Sequence, residues 1–238
     1  MPTSQQTYNS LWESSWGDIQ YYGPVHRHTR SDLVRTIAQL EVGSVIDIGC
    51  GSGENLAALA SAGNYSLTGT DLSDEALTIA KRQLPAGRFL QLDIEHEALQ
   101  ERFDLVMSSQ VIEHIVDDLA ALKNMASMSN RYVLVATMQG AMRRSELKIG
   151  HVRNYSQVEL ARKLEIAGLE VIRLWGWGFP FYSPLIRTLT EFLPGQGPPL
   201  GKMGPLSRLA AALLYQTYKL NWPGKGDVLT ALARKAAL

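Results

Sequence analysis

The stretch Val45-Ile46-Asp47-Ile48-Gly49-Cys50-Gly51-Ser52-Gly53-Glu54-Asn55-Leu56 joins an apolar run to a glycine-rich loop and then to a helical pattern. The pattern predicts a buried strand over 44–50 and a helix over 54–62. The glycines allow positive φ angles and let a ligand approach the main chain closely. The helix N-terminus adds N–H groups and a partial positive charge, which suit a carboxylate or a phosphate. This stretch therefore predicts a ligand site at the end of the first strand.

The glycine spacing distinguishes two kinds of nucleotide ligand. A dinucleotide fingerprint is Gly-x-Gly-x-x-Gly. Here Glu54 occupies the third glycine position, and glycine comes one residue earlier, at Gly53. Asp47 ends the strand, where its negative charge would lie beside a pyrophosphate. These features argue against NAD or FAD and favour a cationic ligand that carries its own carboxylate.

The pattern Asp-x-Gly-x-Gly-x-Gly after a hydrophobic strand resembles motif I of the class I S-adenosylmethionine (SAM) dependent methyltransferases. The resemblance covers residues 40–178 and extends to a last strand within 227–235. It implies a Rossmann-like fold and SAM as the cofactor. It also implies that Leu72 and Ile94 flank the adenine and that Ser109 and Gln110 lie near the methionine portion. The candidate cofactor-binding residues are Asp47, Gly49, Gly51, Gly53, Asp71, Leu72, Asp93, Ile94, Ser109 and Gln110.

Three acids, Asp47, Asp71 and Asp93, stand at the ends of the first three predicted strands. In open α/β sheets, ligands bind outside the carboxyl ends of the strands, near the point where strand order reverses. Buried carboxylates are costly unless they are paired or hydrogen-bonded, so three together indicate a cation or several donors between them. Asp71 follows Gly51 at the distance at which an acid meets ribose hydroxyls. By resemblance, the Asp93 carboxylate accepts from the adenine amino group.

Strand and helix patterns alternate along the chain, which predicts an α/β fold with a mostly parallel, doubly wound sheet and helices on both faces. By resemblance, the sheet is seven-stranded and its last strand is antiparallel. Strands are predicted at 44–50, 66–72, 88–94, 103–109, 131–136, 169–175 and 227–233. A short helix is predicted near 8–15, followed by a loop and then a helix over 27–40. Further helices are predicted at 54–62, 73–84, 157–167, 184–193 and 205–220, and one more follows strand four and ends near residue 128. The expected segments are an N-terminal arm or lid (1–40), the SAM-binding core (41–175), an aromatic loop and helical insertion (176–226) and the last strand (227–238).

A second cluster, Gln110-Val111-Ile112-Glu113-His114, follows the fourth strand. It resembles the Glu-x-x-Glu-His stretch of the ubiquinone-biosynthesis and small-RNA 2′-O-methyltransferases, in which two acids and a histidine can hold a divalent metal. His151 falls where the RNA enzymes place another ligand histidine. Gln110 replaces a glutamate, and because a neutral amide is a weaker ligand we predict no metal cofactor.

The two histidines of this region are the candidate catalytic residues. An unperturbed histidine titrates near pH ~6.5, so His114 or His151 could accept a proton from an oxygen or nitrogen nucleophile. The alternative is that His114 packs or caps at the start of its helix and that His151 orders a loop.

Aromatic side chains cluster in the N-terminal arm and in the segment 175–182. Glycines alternate with the rings of that segment. Because glycine weakens a strand, a plain core strand would not contain them. The pattern therefore predicts a backbone that bends over a cavity lined by the rings. The alternative is structural: the rings of the arm pack it onto the core, and those of 175–182 form the apolar surface on which the helix at 205–220 packs. That helix would then lie against the sheet or against a second subunit. The candidate acceptor-binding residues are Tyr21, Tyr22, His26, Trp177, Phe179 and Tyr182.

Composition limits the partners and the compartment. The 238 residues contain 23 Lys and Arg and 23 Asp and Glu, so the net charge is zero. A neutral protein has no general attraction to nucleic acid or to anionic membranes, although a local basic patch is compatible with this composition. The single cysteine, Cys50, excludes an intrachain disulfide and a multi-cysteine zinc site. No run approaches the ~18 apolar residues of a membrane span, and the N-terminus lacks an apolar signal core. We expect a cytoplasmic protein with no nucleic-acid partner and no integral membrane segment. The sequence is compatible with either a monomer or a homodimer.

The resulting hypothesis is a SAM-dependent methyltransferase that acts on an O, N or C nucleophile of a small, largely apolar or aromatic metabolite. A non-catalytic SAM-binding partner or regulatory subunit fits the same acids and glycines. Turnover of SAM to S-adenosylhomocysteine would separate these two hypotheses. An NAD-dependent oxidoreductase is disfavoured by Asp47 and by the glycine spacing.

Overall fold

The computed structural model describes residues 9, 12, 16–192 and 202–236, and a seven-stranded sheet forms its centre. The strand order is β3-β2-β1-β4-β5-β7-β6, and β7 runs antiparallel to both of its neighbours. The expected Rossmann-like sheet and its antiparallel last strand are therefore confirmed. The strands are Ser44–Ile48 (β1), Ser66–Asp71 (β2), Arg88–Gln91 (β3), Phe103–Ser109 (β4), Ser129–Met138 (β5), Leu169–Trp177 (β6) and Val228–Lys235 (β7).

Helices cover both faces of this sheet. Serine side chains cap two of them, since the Ser73 hydroxyl accepts from the N–H of Ala76 at 3.3 Å and the Ser156 hydroxyl accepts from the N–H of Glu159 at 3.1 Å. Two short helical turns, Ile112–His114 and Phe181–Ile186, lie in connections. The helices are Trp16–Tyr22 (α1), Pro24–Ile37 (α2), Glu54–Ala62 (α3), Asp74–Gln83 (α4), Asp118–Met128 (α5), Arg144–Lys148 (α6), Gln157–Ile166 (α7), Arg187–Phe192 (α8) and Pro205–Tyr218 (α9). Of the helices in the described ranges, none combines the length and apolar character needed to cross a bilayer.

The core consists of two apolar clusters, one on each face of the sheet. Alternate residues of one strand point to opposite faces, so Ile46 belongs to one cluster and Val45 to the other. In β4, Val106 joins the cluster of Ile46, whereas Leu105 joins that of Val45. All four side chains are fully buried. Burial on both faces explains why these strands read as continuous apolar runs.

Three segments differ from the sequence-based expectations. The expected loop before residue 27 contains α1, and α2 begins at Pro24, because proline is well tolerated at the first position of a helix. β3 ends at Gln91, so Asp93 lies in the turn that follows the strand. The helix expected after β4 begins only at Asp118. The helix expected near 8–15 lies outside the described residues, apart from positions 9 and 12.

The insertion between β6 and β7 packs against the N-terminal arm. The His28 ring stacks on Trp177 with centroids 4.7 Å apart, and its Nε2 is 2.9 Å from the carbonyl oxygen of Tyr215. The Arg27 guanidinium lies over the Tyr215 ring at 3.8 Å. The two segments that interrupt the α/β alternation are thus joined to each other.

Candidate active site

The glycine loop after β1 requires glycine for both conformation and space. The φ angles of Gly49, Gly51 and Gly53 are 69°, 54° and 84°, in the left-handed region that L residues avoid. A Cβ at Gly49 would collide with Val111, and one at Gly51 would lie 2.6 Å from the ring of Trp12. A side chain at position 51 would therefore meet an aromatic ring of the arm before it met a ligand.

Asp71, at the end of β2, holds this loop. Its Oδ2 accepts from the N–H of Gly51 and its Oδ1 from the N–H of Ser73, each at 2.9 Å. Burial raises the pKa of the Asp71 carboxyl, and these N–H groups counteract that shift. The acid that was expected to meet the ribose therefore also fixes the position of the loop.

Asp47 is buried among the strands beneath the loop. Its Oδ2 accepts from the side-chain amide of Asn55 at 3.3 Å, and its Oδ1 has no hydrogen-bond partner among the described residues. Burial raises the pKa of Asp47 to about 8, and the nearby charge of Asp71 adds to the shift. A buried acceptor without a partner is costly. Asp47 is fully buried and, unlike Asp71, does not line the cavity above it.

A cavity of about 280 Å³ opens above these acids, at the carboxyl ends of the strands. The arm covers it with Trp12, Trp16 and Gln20, three residues that the sequence analysis did not select. The aromatic density of the arm was a signal for them, but their exact contacts depend on tertiary packing. The predicted cofactor residues that line the cavity are Gly49, Asp71, Leu72, Asp93, Ile94, Ser109 and Gln110.

Gln110 is held in an unusual conformation between β4 and the turn Ile112–His114. Its φ is 59°, and it is the one non-glycine with positive φ in the described part of the chain. Its N–H donates to the carbonyl of Ala136 at 2.8 Å, whereas its side-chain nitrogen has no partner among the described residues. Strained residues of this kind cluster at functional sites, and Gln110 lines the cavity with this unpaired amide nitrogen.

A second cavity, of about 390 Å³, adjoins the first. Trp16, Gln20, Gln110 and His114 line both. A molecule in the second cavity can therefore approach one in the first. The other polar residues in its lining are His26, Glu146, His151 and Tyr182.

The two candidate catalytic histidines meet in this second cavity. Their ring centroids are 4.5 Å apart, and the planes are inclined by 74°. The backbone joins their segments, since the N–H of Val152 donates to the carbonyl of Glu113 at 2.9 Å. Burial lowers the pKa of His114 to about 3 and that of His151 to about 4. Both imidazoles are therefore neutral near pH 7, and each has one nitrogen that can accept a proton.

Glu113 lies beside this pair. Its Oε2 accepts from the Thr137 hydroxyl at 2.8 Å, and burial raises the pKa of the carboxyl to about 7. Glu113, His114 and His151 each offer one ligand atom, and these atoms lie within 4.8 Å of one another, which is compatible with a metal ion. A second such group within the described ranges is the more exposed set Asp93, Glu95 and His96.

The predicted acceptor-binding residues divide into two sets. His26 and Tyr182 line the second cavity. Trp177 and Phe179 line neither of these two cavities, because Trp177 stacks on His28 and the Phe179 ring packs against Trp222.

Tyr21 and Tyr22 belong to the outer side of the arm. Their rings contact each other edge to face at 4.7 Å, and the guanidinium of Arg208 lies 4.4 Å from the Tyr22 ring centroid. Tyr21 is 52% exposed. Helix α1 thus turns its tryptophan and glutamine toward the cavities and its tyrosines away from them.

A buried ion-pair network, which the sequence analysis missed, supports the wall of the second cavity. Arg187 in α8 pairs with Glu146 in α6 and with Asp227 before β7. Its guanidinium also donates to the carbonyls of Gln139 and Ala141, at 3.2 and 3.3 Å. The network ties the insertion to the loops around the site.

Comparisons with known proteins agree with this geometry. A family model described as a methyltransferase domain matches residues 45–131. The ubiquinone biosynthesis O-methyltransferase of Aromatoleum aromaticum is 28% identical over 213 residues, which cover 78% of this chain and 88% of that protein. The trans-aconitate 2-methyltransferase of Afipia carboxidovorans is 28% identical over 48% of this chain and 45% of its own length. The chain spans about half the length of two further ubiquinone-type relatives.

A solved structure extends the likeness to the whole fold. The N-methyltransferase NodS from Bradyrhizobium japonicum, in complex with S-adenosyl-L-homocysteine, superposes with a TM-score of 0.65 at 17% identity, and the alignment covers all of both chains. The glycine loop, the acids at or near the ends of β1, β2 and β3 and the matching domain all agree. The chain therefore contains a methyltransferase domain, has the Rossmann-like fold of the class I methyltransferases and uses S-adenosylmethionine as its cofactor.

Proposed function

We propose that this protein transfers the methyl group of SAM to an O, N or C nucleophile of a small, largely apolar or aromatic acceptor bound in the second cavity. The observation that carries the proposal is the shared wall between the cavities. Gln110 and His114 lie on that wall, next to the position where methyl donor and acceptor would meet. Alignment of two bound reactants can lower a barrier by roughly 7–11 kcal/mol.

In this proposal the first cavity holds the cofactor, which supplies an electrophilic methyl group on a sulfonium. The carboxylates of Asp47 and Asp71 would balance its positive charge and accept from its amino and hydroxyl donors. Asp93 would accept from the adenine amino group, and Leu72 and Ile94 would pack on the ring faces. The Gln110 amide would donate to the carboxylate of the methionine portion.

We propose that His114 or His151 removes the proton of an oxygen or nitrogen nucleophile. Each is neutral before the reaction, because burial holds its pKa well below 7. A base this weak accepts the proton only while the bond between the nucleophile and the methyl carbon forms, because that bond makes the proton of the nucleophile strongly acidic. The neighbouring ring can then share the proton, since the two centroids are 4.5 Å apart.

The lining of the second cavity supports an apolar acceptor. Ile19, Val25, Met138 and Ile149 supply apolar surface, and the lining contains no lysine or arginine among the described residues. Arg187 stands behind Glu146 and is already paired with it and with Asp227. A polycarboxylate would therefore find no cation in this cavity, whereas a phenol or a hydroquinone could use its apolar walls and neutral histidines.

We propose that the arm 1–40 is a lid, that 41–175 forms the cofactor core, that 176–226 supports the acceptor side and that 227–238 completes the sheet. The lining by Trp16, Gln20 and His26 supports the role of the arm. We also propose a cytoplasmic protein with no nucleic-acid partner, and the zero net charge supports the second of these points.

A cavity-filling substitution tests the acceptor site. Val25→Trp should abolish turnover of phenolic acceptors while SAM binding stays within about twofold of wild type, because the larger ring would occupy space in the second cavity only. Val158→Trp, at a site that is 78% exposed on α7, is the matched control. The measurement is formation of S-adenosylhomocysteine with a panel of phenols, hydroquinones and tricarboxylates. Wild-type turnover by Val25→Trp, or no turnover by any protein, would refute the proposal.

Metal independence is the second testable part of the proposed function. Glu113 is the carboxylate that groups with the two histidines among the described residues; its pKa of about 7 leaves it only partly ionised at neutral pH, and Gln110 supplies no charge. Activity should therefore survive dialysis against EDTA. The prediction fails if EDTA removes activity and a divalent ion restores it in the wild type but not in His151→Ala.

A further inference from the structure

Helix α9 carries apolar side chains on the side that faces away from the protein. Leu206, Leu209 and Leu213 are 83%, 58% and 62% exposed. Their spacing of three and four residues places them on one stripe of the helix. The opposite side of the helix packs against the arm and the rest of the insertion, where Ala211 and Tyr218 are buried. A contiguous exposed stripe of this kind indicates an interaction surface.

The apolar surface continues beyond the end of the helix. Leu220 is 64% exposed and Trp222 is 57% exposed. Trp222 is nevertheless fixed in place, because its backbone N–H donates to the carbonyl of Phe179 at 2.7 Å and its ring meets the Phe179 ring at 5.3 Å. An ordered, exposed tryptophan beside an apolar helix is typical of membrane–water interfaces.

The segment that carries this surface is basic. Residues 202–226 contain Lys202, Arg208, Lys219 and Lys225 and no aspartate or glutamate, although the whole chain has zero net charge. Arg208 lies 3.7 Å from Asp18 of the arm, and the three lysines are exposed. The segment that contains the apolar stripe is thus locally basic, with three exposed lysines.

We propose that the outer side of α9, together with Leu220, Trp222 and the three lysines, is a docking surface for an anionic phospholipid bilayer. The helix would lie in the plane of the membrane, with its leucines at the acyl boundary and its lysines near the phosphates. With 14 residues, it is too short to span a bilayer. A symmetric pair of copies would instead bring two basic segments together with no acid in either to offset them.

Flotation of the full chain with vesicles tests this proposal. The protein should bind vesicles of phosphatidylcholine mixed with phosphatidylglycerol, bind phosphatidylcholine alone far more weakly, and dissociate as salt is added. Leu209→Glu with Leu213→Glu should abolish the binding. The matched control is Val158→Glu, at an exposed apolar position on α7.

The lysines are tested separately. Lys219→Glu and Lys225→Glu should each weaken binding to the anionic vesicles by at least about fivefold, whereas Lys123→Glu, at an exposed position on α5, should not. A thermal shift with SAM shows that each variant is folded. The proposal is overturned if anionic vesicles do not bind, or if the leucine variants bind them as wild type does. It is also overturned if light scattering shows a dimer that Leu209→Glu with Leu213→Glu converts to a monomer while no vesicle binding is seen.

Discussion

At the scale of single residues, we expect the buried carboxyl of Asp47 to link cofactor binding to pH. Its pKa is raised to about 8, so in the protein without SAM it holds a proton at neutral pH. A cationic ligand favours the ionised form, so binding must release that proton. The affinity for SAM should therefore rise about tenfold between pH 6.5 and 7.5. Titration calorimetry in two buffers of different ionisation enthalpy measures both the affinity and the released proton.

Two variants show whether Asp47 is the origin of this pH dependence. Asp47→Asn removes the titrating group and should flatten the profile while weakening binding. Asp104→Asn removes an acid near the other end of β1, where it accepts from the N–H groups of Gly43 and Ser44 at 2.8 and 3.0 Å, and should keep the slope. A pH-independent affinity in the wild-type protein would show that Asp47 is ionised throughout or lies away from the ligand.

At the scale of elements, α6, α8 and the start of β7 are held together by the buried guanidinium of Arg187. Arg187→Met should lower the free energy of unfolding by about 3–5 kcal/mol, because it leaves Glu146 and Asp227 without their cation. Arg208→Met breaks a half-exposed pair with Asp18 and should cost less than about 1 kcal/mol. Urea unfolding of both variants measures the difference. Equal losses would show that the network is not stabilising.

The elements that the sequence predicted well are those whose signals are local. The apolar runs that end in Asp47 and Asp71 mark β1 and β2, and the serine cap of α4 marks a helix start. By contrast, α1 was expected to be a loop, because Gly23 and Pro24 read as a break, although proline is compatible with the start of a helix. Local patterns thus placed the strands better than they placed the arm.

At the scale of the whole molecule, the residues that sequence reasoning missed are those brought together by tertiary packing. Trp12 lies against Gly51, and Trp16 and Gln20 line both cavities, although the arm and the glycine loop are far apart in the chain. Trp177 was expected at the acceptor, but the insertion folds back onto the arm and places it against His28. Neither contact leaves a periodic pattern in the sequence.

We expect the cavity above the glycine loop to bind SAM, and thermal unfolding in the presence of three ligands distinguishes this cofactor from NAD. A ligand that binds only the native state stabilises it by about 2.7 kcal/mol at a hundredfold excess over its Kd. SAM and S-adenosylhomocysteine should each raise the Tm of the full chain, and NAD should leave it unchanged. A rise in Tm with NAD and none with SAM would show that the cavity does not bind SAM.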